Sequence, residues 1–284
     1  MTTTGITTLS RLTRLPTIAR AAGTAGASMV RRRNTVPGGV VLAYHDILAD
    51  DVAPFEYAVS VRRFRQQLDV VDRMRLAVIS LREMSQRFLD GQELTGRVAI
   101  VFDDALVGVH HLALPELAGR GWTATVLPVV DQMGRDPAWW PGSQRTMTWP
   151  ELTEAIRNGV DLAAHGTTHS CLPCLRDQPL AEELGRARGK LTEVLGTEVD
   201  QFAYPYGHHD ARVRDAVTAA SYTTAYTFLN GRVMLGADSL LLPRLTMHQR
   251  LTAPLLAHQL SRLASDWPNF ALDAFHPHPA SDLR

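Results

Sequence analysis

The chain has 284 residues, a length that suits one large α/β domain or two smaller ones. Its 29 basic and 29 acidic residues balance, so no overall field favours a nucleic acid as partner. No apolar run reaches the roughly 18 residues of a transmembrane helix. The two cysteines are too few for a disulfide-rich secreted scaffold.

Residues 1–36 are predicted to form a basic leader without regular structure. The first 45 residues contain six arginines and no acidic residue, and Arg20 interrupts the best apolar core for a secretory signal. Two alternatives stay open. Leu9, Leu12 and Leu15 are spaced for a short helix in weak peripheral contact with an anionic membrane, or the leader is a poorly formed export signal. Without a convincing signal, a cytoplasmic location is expected, with export as the alternative.

Strands and helices alternate after the leader, up to a loose tail predicted at 268–284. Strands are predicted at 39–44, 77–81, 97–105, 122–130, 160–164, 201–204, 222–227 and 240–245. Helices are predicted from 61 onward, after the cap Ser60, and at 82–89, 107–118, 148–159, 180–195, 211–220 and 252–265. Because no linker interrupts this alternation, residues 37–267 are expected to form one parallel α/β domain, barrel-like rather than two-layered.

Two adjacent carboxylates, Asp103 and Asp104, follow the apolar run 98–101. A lone buried charge is costly, so the pair is expected at the carboxyl end of an inner strand, where α/β folds hold their ligands. There, one carboxylate would bind a metal and the other would handle a proton. The alternative is an acidic turn in which Asp104 caps the next helix.

A pair of histidines, His165 and His169, follows the predicted strand at 160–164. Their i, i+4 spacing predicts one face of a helical turn, where one metal ion can bind both imidazoles. Two imidazoles and one carboxylate form the open three-ligand set of a catalytic zinc-type site. A second histidine pair, His110 and His111, is expected to serve packing or the surface.

The loop at 131–147 is long enough to form the lip of a binding site. Its Trp139 and Trp140 are expected either to stack on sugar rings or to pin the loop. Beyond the histidines, the C-x-x-C pair Cys171 and Cys174 is expected to carry two reduced, partly buried thiols. A redox pair and half of a zinc site are the alternatives.

The motifs FDD, H-x-x-x-H and YPYG, in this order and after strands, resemble those of the NodB-homology polysaccharide deacetylases. The resemblance spans 40–245. It implies a distorted (β/α) barrel of about seven parallel strands and a metal-dependent hydrolase that removes acetyl groups from N-acetylated sugars. By motif, Asp103 would be the general base, and Asp104, His165 and His169 the metal ligands. Zn²⁺ is the expected cofactor, with Co²⁺ or Ni²⁺ as alternatives.

The YPYG motif is expected to form one wall of the groove, with Pro205 beside the substrate. The resemblance implies that the backbone N–H of Tyr206 helps to hold the oxyanion. Many members carry an arginine in this motif, whereas this chain has apolar or aromatic residues there. Arg244 is the expected replacement beside the base.

The missing arginine and the early AYHDI segment resemble the subgroup that deacetylates exopolysaccharides such as poly-N-acetylglucosamine. In that subgroup the general acid comes from the first strand, which indicates His45, with His248 as its rival. Family members usually have glycine where this chain has Ala105.

The expected partner is therefore an N-acetylated carbohydrate, and the sequence does not predict an oligomeric state. Two alternatives remain. The same site could act on another amide, such as a formamide or a small N-acyl metabolite. The barrel could also bind glycans without turning them over.

Overall fold

The structure is a computed structural model that describes residues 36–262. The predictions of a basic leader at 1–36 and a loose tail at 268–284 fall outside these residues, except for Val36. Among residues 36–262, no helix has both the length and the apolar character needed to cross a bilayer.

Strands of three to eight residues make up most of the sheet, together with one strand of two residues. The strands are β1 Val40–Tyr44, β2 Asp46–Leu48, β3 Ala58–Ser60, β4 Ala77–Ile79, β5 Arg97–Asp104, β6 Thr125–Pro128, β7 Asp161–Leu162, β8 Gln201–Ala203, β9 Thr224–Asn230 and β10 Leu242–Thr246. The helices are α1 Val61–Arg73, α2 Leu81–Leu89, α3 Leu114–Ala118, α4 Trp149–Arg157, α5 Asp177–Leu195, α6 Ala211–Ala219 and α7 Ala253–Leu260.

Seven parallel strands lie side by side in the order β7-β6-β5-β1-β10-β9-β8, and β4 pairs with the first half of β5. The two ends of this order meet, because a parallel bridge joins Ala164, just after β7, to Phe202 of β8. The predicted distorted (β/α) barrel is therefore confirmed. The short closure, a single bridge beside a two-residue strand, is where the barrel is distorted.

Alternate residues of each strand face the interior of this barrel. In β1, Val41 and Ala43 belong to an inner apolar cluster to which α2 also contributes. The residues between them belong to the outer cluster under the other helices. In β5, Ala99 and Val101 face inward, so Asp103 follows them on the inner face at the carboxyl end.

Helix starts were readable from the sequence. The Ser60 hydroxyl accepts a hydrogen bond from the Arg63 N–H at the start of α1. Thr148 and Glu151 form the predicted capping box at the start of α4. Both signals were visible because a capping side chain acts on residues within one turn of itself.

Two local features were not predicted. Strands β2 and β3 form a separate parallel pair, and three-residue strands are too short to show a period in sequence. The helix expected at 107–118 begins as a π-helix at Val109–Ala113 before α3. Its N-cap is Gly108, so Asp104 does not cap it.

Candidate active site

A buried group of three side chains lies where β1, β5 and β10 end. The guanidinium of Arg244 donates a hydrogen bond from Nη1 to Asp103 Oδ1 at 2.8 Å, and both side chains are 1% exposed. A second donor of Arg244, Nε, bonds to the carbonyl of Thr227 at 3.0 Å. His45 Nε2 lies 3.9 Å from the other oxygen, Asp103 Oδ2. Arg244 therefore occupies one oxygen of Asp103 and leaves the other directed toward His45.

The charges in this group set the protonation of Asp103. Burial alone would raise its pKa, but Arg244, followed by His165 and His45, outweighs burial and lowers the pKa to about 2. Asp103 is therefore an anion at neutral pH. Burial lowers the pKa of His45, although the carboxylates of Asp103 and Asp104 oppose that shift.

The predicted metal ligands converge beside this group. Asp104 Oδ1 lies 3.7 Å from His165 Nε2 and 3.4 Å from His169 Nε2, and one donor atom from each residue lies within 4.8 Å of the others. All three side chains are buried. Asp104 Oδ1 is itself buried and has no hydrogen-bond partner, which is costly unless a cation binds there. The residues present therefore fit a divalent metal.

The orientation of His165 also suits a ligand. Its Nδ1 is 2.9 Å from the carbonyl of Ala203, which accepts a hydrogen bond when Nδ1 carries the proton. That tautomer leaves the lone pair on Nε2, the nitrogen facing Asp104. Strand β8 thus fixes one of the imidazoles.

The helical turn predicted for His165 and His169 is wrong. The segment is a loop in which Gly166 and His169 have left-handed backbone conformations, with φ of 82° and 64°. Glu183 of α5 holds this loop. Its carboxylate accepts hydrogen bonds from the backbone N–H groups of Thr167 and Thr168 at 2.9 and 2.8 Å. A Cβ at Gly166 would lie 2.7 Å from Glu183 Oε1, so the close approach needs glycine.

Left-handed backbone also follows β5. Asp104 and Ala105 have φ of 67° and 54°, which turns the chain sharply after Asp103 and points two successive carboxylates to different partners. Ala105 is fully buried and occupies a conformation that glycine adopts without strain. This conformation is a physical reason for glycine to be usual at that position.

The YPYG motif lies next to His169. Residues Pro205–Gly207 form one 3₁₀ turn, within which Tyr206 has a φ of 59°. The ring of Tyr206 meets the His169 ring edge-on, with centroids 4.4 Å apart. Pro205, the first residue of the turn, is buried.

Sequence reasoning missed three kinds of supporting residue. Glu183 had a signal, because it interrupts the apolar stripe of α5 on a buried face. Asp46 is fully buried beside the site, and burial, with Asp104 contributing, raises its pKa to about 7 despite hydrogen bonds from backbone N–H groups. Tyr57 and Phe228 lie 5.3 and 5.9 Å from the His45 ring, and no sequence pattern connects them to it.

The two histidines predicted to serve packing or the surface, His110 and His111, lie beside acidic side chains. His110 Nε2 is 3.5 Å from Glu154, and His111 Nε2 is 4.0 Å from Glu151. Both oxygens of Glu151 bond to Arg145 at 2.8 Å, so a metal there would have to displace a guanidinium. His248 follows β10, is half-buried, and has a pKa lowered by burial.

The prediction of two reduced thiols is wrong. Cys171 and Cys174 form a disulfide, because the 3₁₀ turn at Leu172–Cys174 brings their Cα atoms to 5.4 Å. Disulfides persist mainly in oxidising compartments. The cellular location of this protein stays a prediction.

Part of this site lies within a region of the chain that matches a known protein family. Residues 90–225 match the family model described as polysaccharide deacetylase. They form a polysaccharide deacetylase domain. The family expected from the motifs is confirmed, and with it the class of hydrolytic enzyme. The deacetylase domain contains Asp103 and the candidate metal ligands, whereas His45 and Arg244 lie outside the matched range.

The fold of the deacetylase domain also occurs in solved structures. A deacetylase, PplD, from Streptococcus pyogenes in complex with acetate is 19% identical, with a TM-score of 0.70 over 80% of this chain and 100% of that one. IcaB from Ammonifex degensii is 24% identical, with a TM-score of 0.68 over 81% and 100%. A de-N-acetylase from Aggregatibacter actinomycetemcomitans is 15% identical, with a TM-score of 0.66 over 77% and 98%. No curated protein matches the chain.

Proposed function

We propose that this protein is a metal-dependent carbohydrate N-deacetylase that releases acetate from N-acetylated amino sugars in an oligosaccharide, polysaccharide or glycoconjugate. One observation carries the proposal. Within a polysaccharide deacetylase domain, the buried anion Asp103 stands beside three converging metal-binding side chains at one end of the barrel. A barrel that only binds glycans has no use for an anionic carboxylate held in that position.

The metal ligands in this proposal are Asp104, His165 and His169. One carboxylate oxygen and two imidazole nitrogens suit Zn²⁺, Co²⁺ or Ni²⁺, and Zn²⁺ is the proposed ion. Such an ion, when bound, acts as a Lewis acid that polarises the acetamide carbonyl and lowers the pKa of the attacking water.

Asp103 is the proposed general base. Because Arg244 occupies Oδ1, the proton of the attacking water goes to Oδ2. The low pKa of Asp103 keeps this oxygen unprotonated over the whole physiological range. Arg244 acts through Asp103 and is a positioning residue.

His45 is the proposed general acid. As the C–N bond breaks, the imidazolium of His45 gives its proton to the departing amine nitrogen. The backbone N–H of Tyr206 is the proposed donor to the oxyanion of the tetrahedral intermediate. Asp103 Oδ2 and His45 Nε2 are 3.9 Å apart. Because burial lowers the pKa of His45, the proton that Asp103 takes from water passes to neutral His45 before the C–N bond breaks, and this transfer forms the imidazolium. The products are acetate and a free amino sugar.

An exopolysaccharide such as poly-N-acetylglucosamine is the proposed substrate class. Two sequence features support it: the proposed acid, His45, directly follows the first strand, and the YPYG motif lacks an arginine. Arg244, from β10, contacts the base from another part of the barrel.

Acetate release from N-acetylglucosamine oligomers tests the proposal. Asp103→Asn and His45→Ala should each reduce turnover by at least about 100-fold, a typical contribution of general acid–base catalysis. Both variants should retain the bound metal. EDTA should abolish turnover, and Zn²⁺ should restore it. Asp131→Asn, at a carboxylate paired with Arg186 on the surface, is the matched control.

Full acetate release by Asp103→Asn would overturn the assigned mechanism. Turnover of formamides or small N-acyl compounds, but not of the sugars, would favour another amide as substrate. Binding of the oligomers without turnover or bound metal would favour the silent barrel.

A further inference from the structure

Two neighbouring tryptophans of the loop at 131–147 each contact a different candidate metal ligand. The indole N–H of Trp140 donates a hydrogen bond to Asp104 Oδ2 at 2.7 Å. The ring of Trp139 stacks on His169, with centroids 4.2 Å apart and an interplanar angle of 10°. The loop therefore contacts two of the three candidate metal ligands, Asp104 and His169.

The Trp140 bond decides which oxygen of Asp104 remains for a metal. A carboxylate can bind through one oxygen or both, and the buried Oδ2 already accepts a charge-assisted hydrogen bond. Oδ1 faces both imidazoles and accepts no hydrogen bond. Trp140 thus holds Asp104 as a ligand through one oxygen.

The stacking of Trp139 acts on the plane of His169. Trp139 covers one face of the imidazole, while Tyr206 meets the same ring edge-on at 4.4 Å. These contacts restrict rotation of the ring and keep its Nε2 3.4 Å from Asp104 Oδ1. The indole face on His169 is also closed to a sugar ring.

Trp140 is held in turn by its own aromatic neighbours. Its ring centroid is 5.2 Å from Phe55, 5.4 Å from Tyr57 and 5.5 Å from His45. The ring is therefore packed among side chains of the segment after β1, and a phenyl ring at 140 would keep part of that packing.

We propose that Trp139 and Trp140 are positioning residues of the metal centre, rather than a platform on which sugars stack. The inference rests on the metal site of the proposed function. Partners of metal ligands of this kind typically change metal affinity by about 10- to 100-fold when removed. The loop at 131–147 consequently contributes to metal affinity in the absence of substrate.

The test is a Zn²⁺ titration of the full chain against a competing chelator, without sugar. Trp140→Phe removes the N–H and should weaken Zn²⁺ binding by about 10-fold or more, while the melting temperature of the metal-free protein changes little. In the Co²⁺-loaded variant, the visible absorption should change, because Asp104 becomes free to bind through both oxygens. Trp139→Leu, which removes the stacked ring, is a second variant with the same expected loss of affinity.

Trp149→Phe is the matched control, since this half-buried tryptophan at the start of α4 lies against Lys190. It should leave Zn²⁺ affinity unchanged. If the unaltered protein binds no Zn²⁺, the proposed metal centre fails. If that protein binds Zn²⁺ and both loop variants bind it equally well, only the present inference fails. A raised KM for sugar oligomers with unchanged Zn²⁺ affinity would also overturn it and favour a sugar platform.

Discussion

Replacing Arg244 with methionine should destabilise the protein in a pH-dependent way. Arg244 and Asp103 are each 1% exposed, and a 2.8 Å hydrogen bond joins them. Methionine fills much of the same volume but leaves the carboxylate of Asp103 without its counter-charge. Removing one partner of a buried ion pair costs about 3–5 kcal/mol.

The pKa of Asp103 gives a second route to this magnitude. It lies at about 2 in the folded protein, against an ordinary value of 3.8. That shift alone corresponds to about 2.5 kcal/mol of stability above pH 4, which is lost as the pH falls toward 2. Without Arg244, burial becomes the dominant influence and raises the pKa of Asp103. The free energy of unfolding of the variant is then lower, because the folded protein buries a charged carboxylate that water solvates in the unfolded chain.

The assay is urea unfolding of the metal-free protein between pH 4 and pH 8. The loss in Arg244→Met should be largest at neutral pH and should shrink toward pH 4, where Asp103 can take up a proton. Arg186→Met removes an exposed pair with Asp131 at 3.1 Å and should cost no more than about 1 kcal/mol. A loss in Arg244→Met that is the same at pH 4 and pH 8 would refute the electrostatic reasoning.

Three further outcomes follow from two residues beside the site, Asp46 and Ala105. Asp46→Asn should raise the free energy of unfolding of the metal-free protein by up to about 4 kcal/mol at pH 8 and by little at pH 4, because the buried carboxyl has its pKa raised from 3.8 to about 7. Equal stability of the two proteins at pH 8 by urea unfolding would contradict that pKa. Ala105→Gly should change stability by less than about 1 kcal/mol, since relief of left-handed strain is offset by the lost buried methyl group and the freer unfolded chain. Ala105→Val should cost more than about 2 kcal/mol, because a β-branched residue fits that backbone poorly, and thermal melts that rank valine equal to alanine would argue against this account.

The sequence predicted which residues form the candidate site better than it predicted the contacts that position them. Polar residues directly after apolar strands, such as Asp103 and His165, were assignable to one edge of the sheet because parallel strands end together. The order of strands within the barrel could not be read from local patterns, since pairing joins distant segments such as β1 and β10.

Contacts across the fold account for most of what sequence reasoning lacked. The i, i+4 spacing of His165 and His169 suggested a helix, yet a loop tied to Glu183 brings the two rings together. The spacing was informative and the conformation inferred from it was wrong. Likewise, nothing local to Trp140 indicates that its N–H reaches Asp104, which is 36 positions away.

The left-handed residues carry a consequence for engineering. Among residues 36–262, six non-glycine residues have positive φ, and four of them, Asp104, Ala105, His169 and Tyr206, surround the candidate active site. The other two, Arg75 and Ser221, are exposed and follow the ends of α1 and α6, where glycine usually sits. The first substitutions to make for a more thermostable barrel are therefore Arg75→Gly and Ser221→Gly. The same substitution at 104 or 169 would remove a proposed metal ligand, and at 206 it would relax the turn whose Tyr206 ring contacts His169.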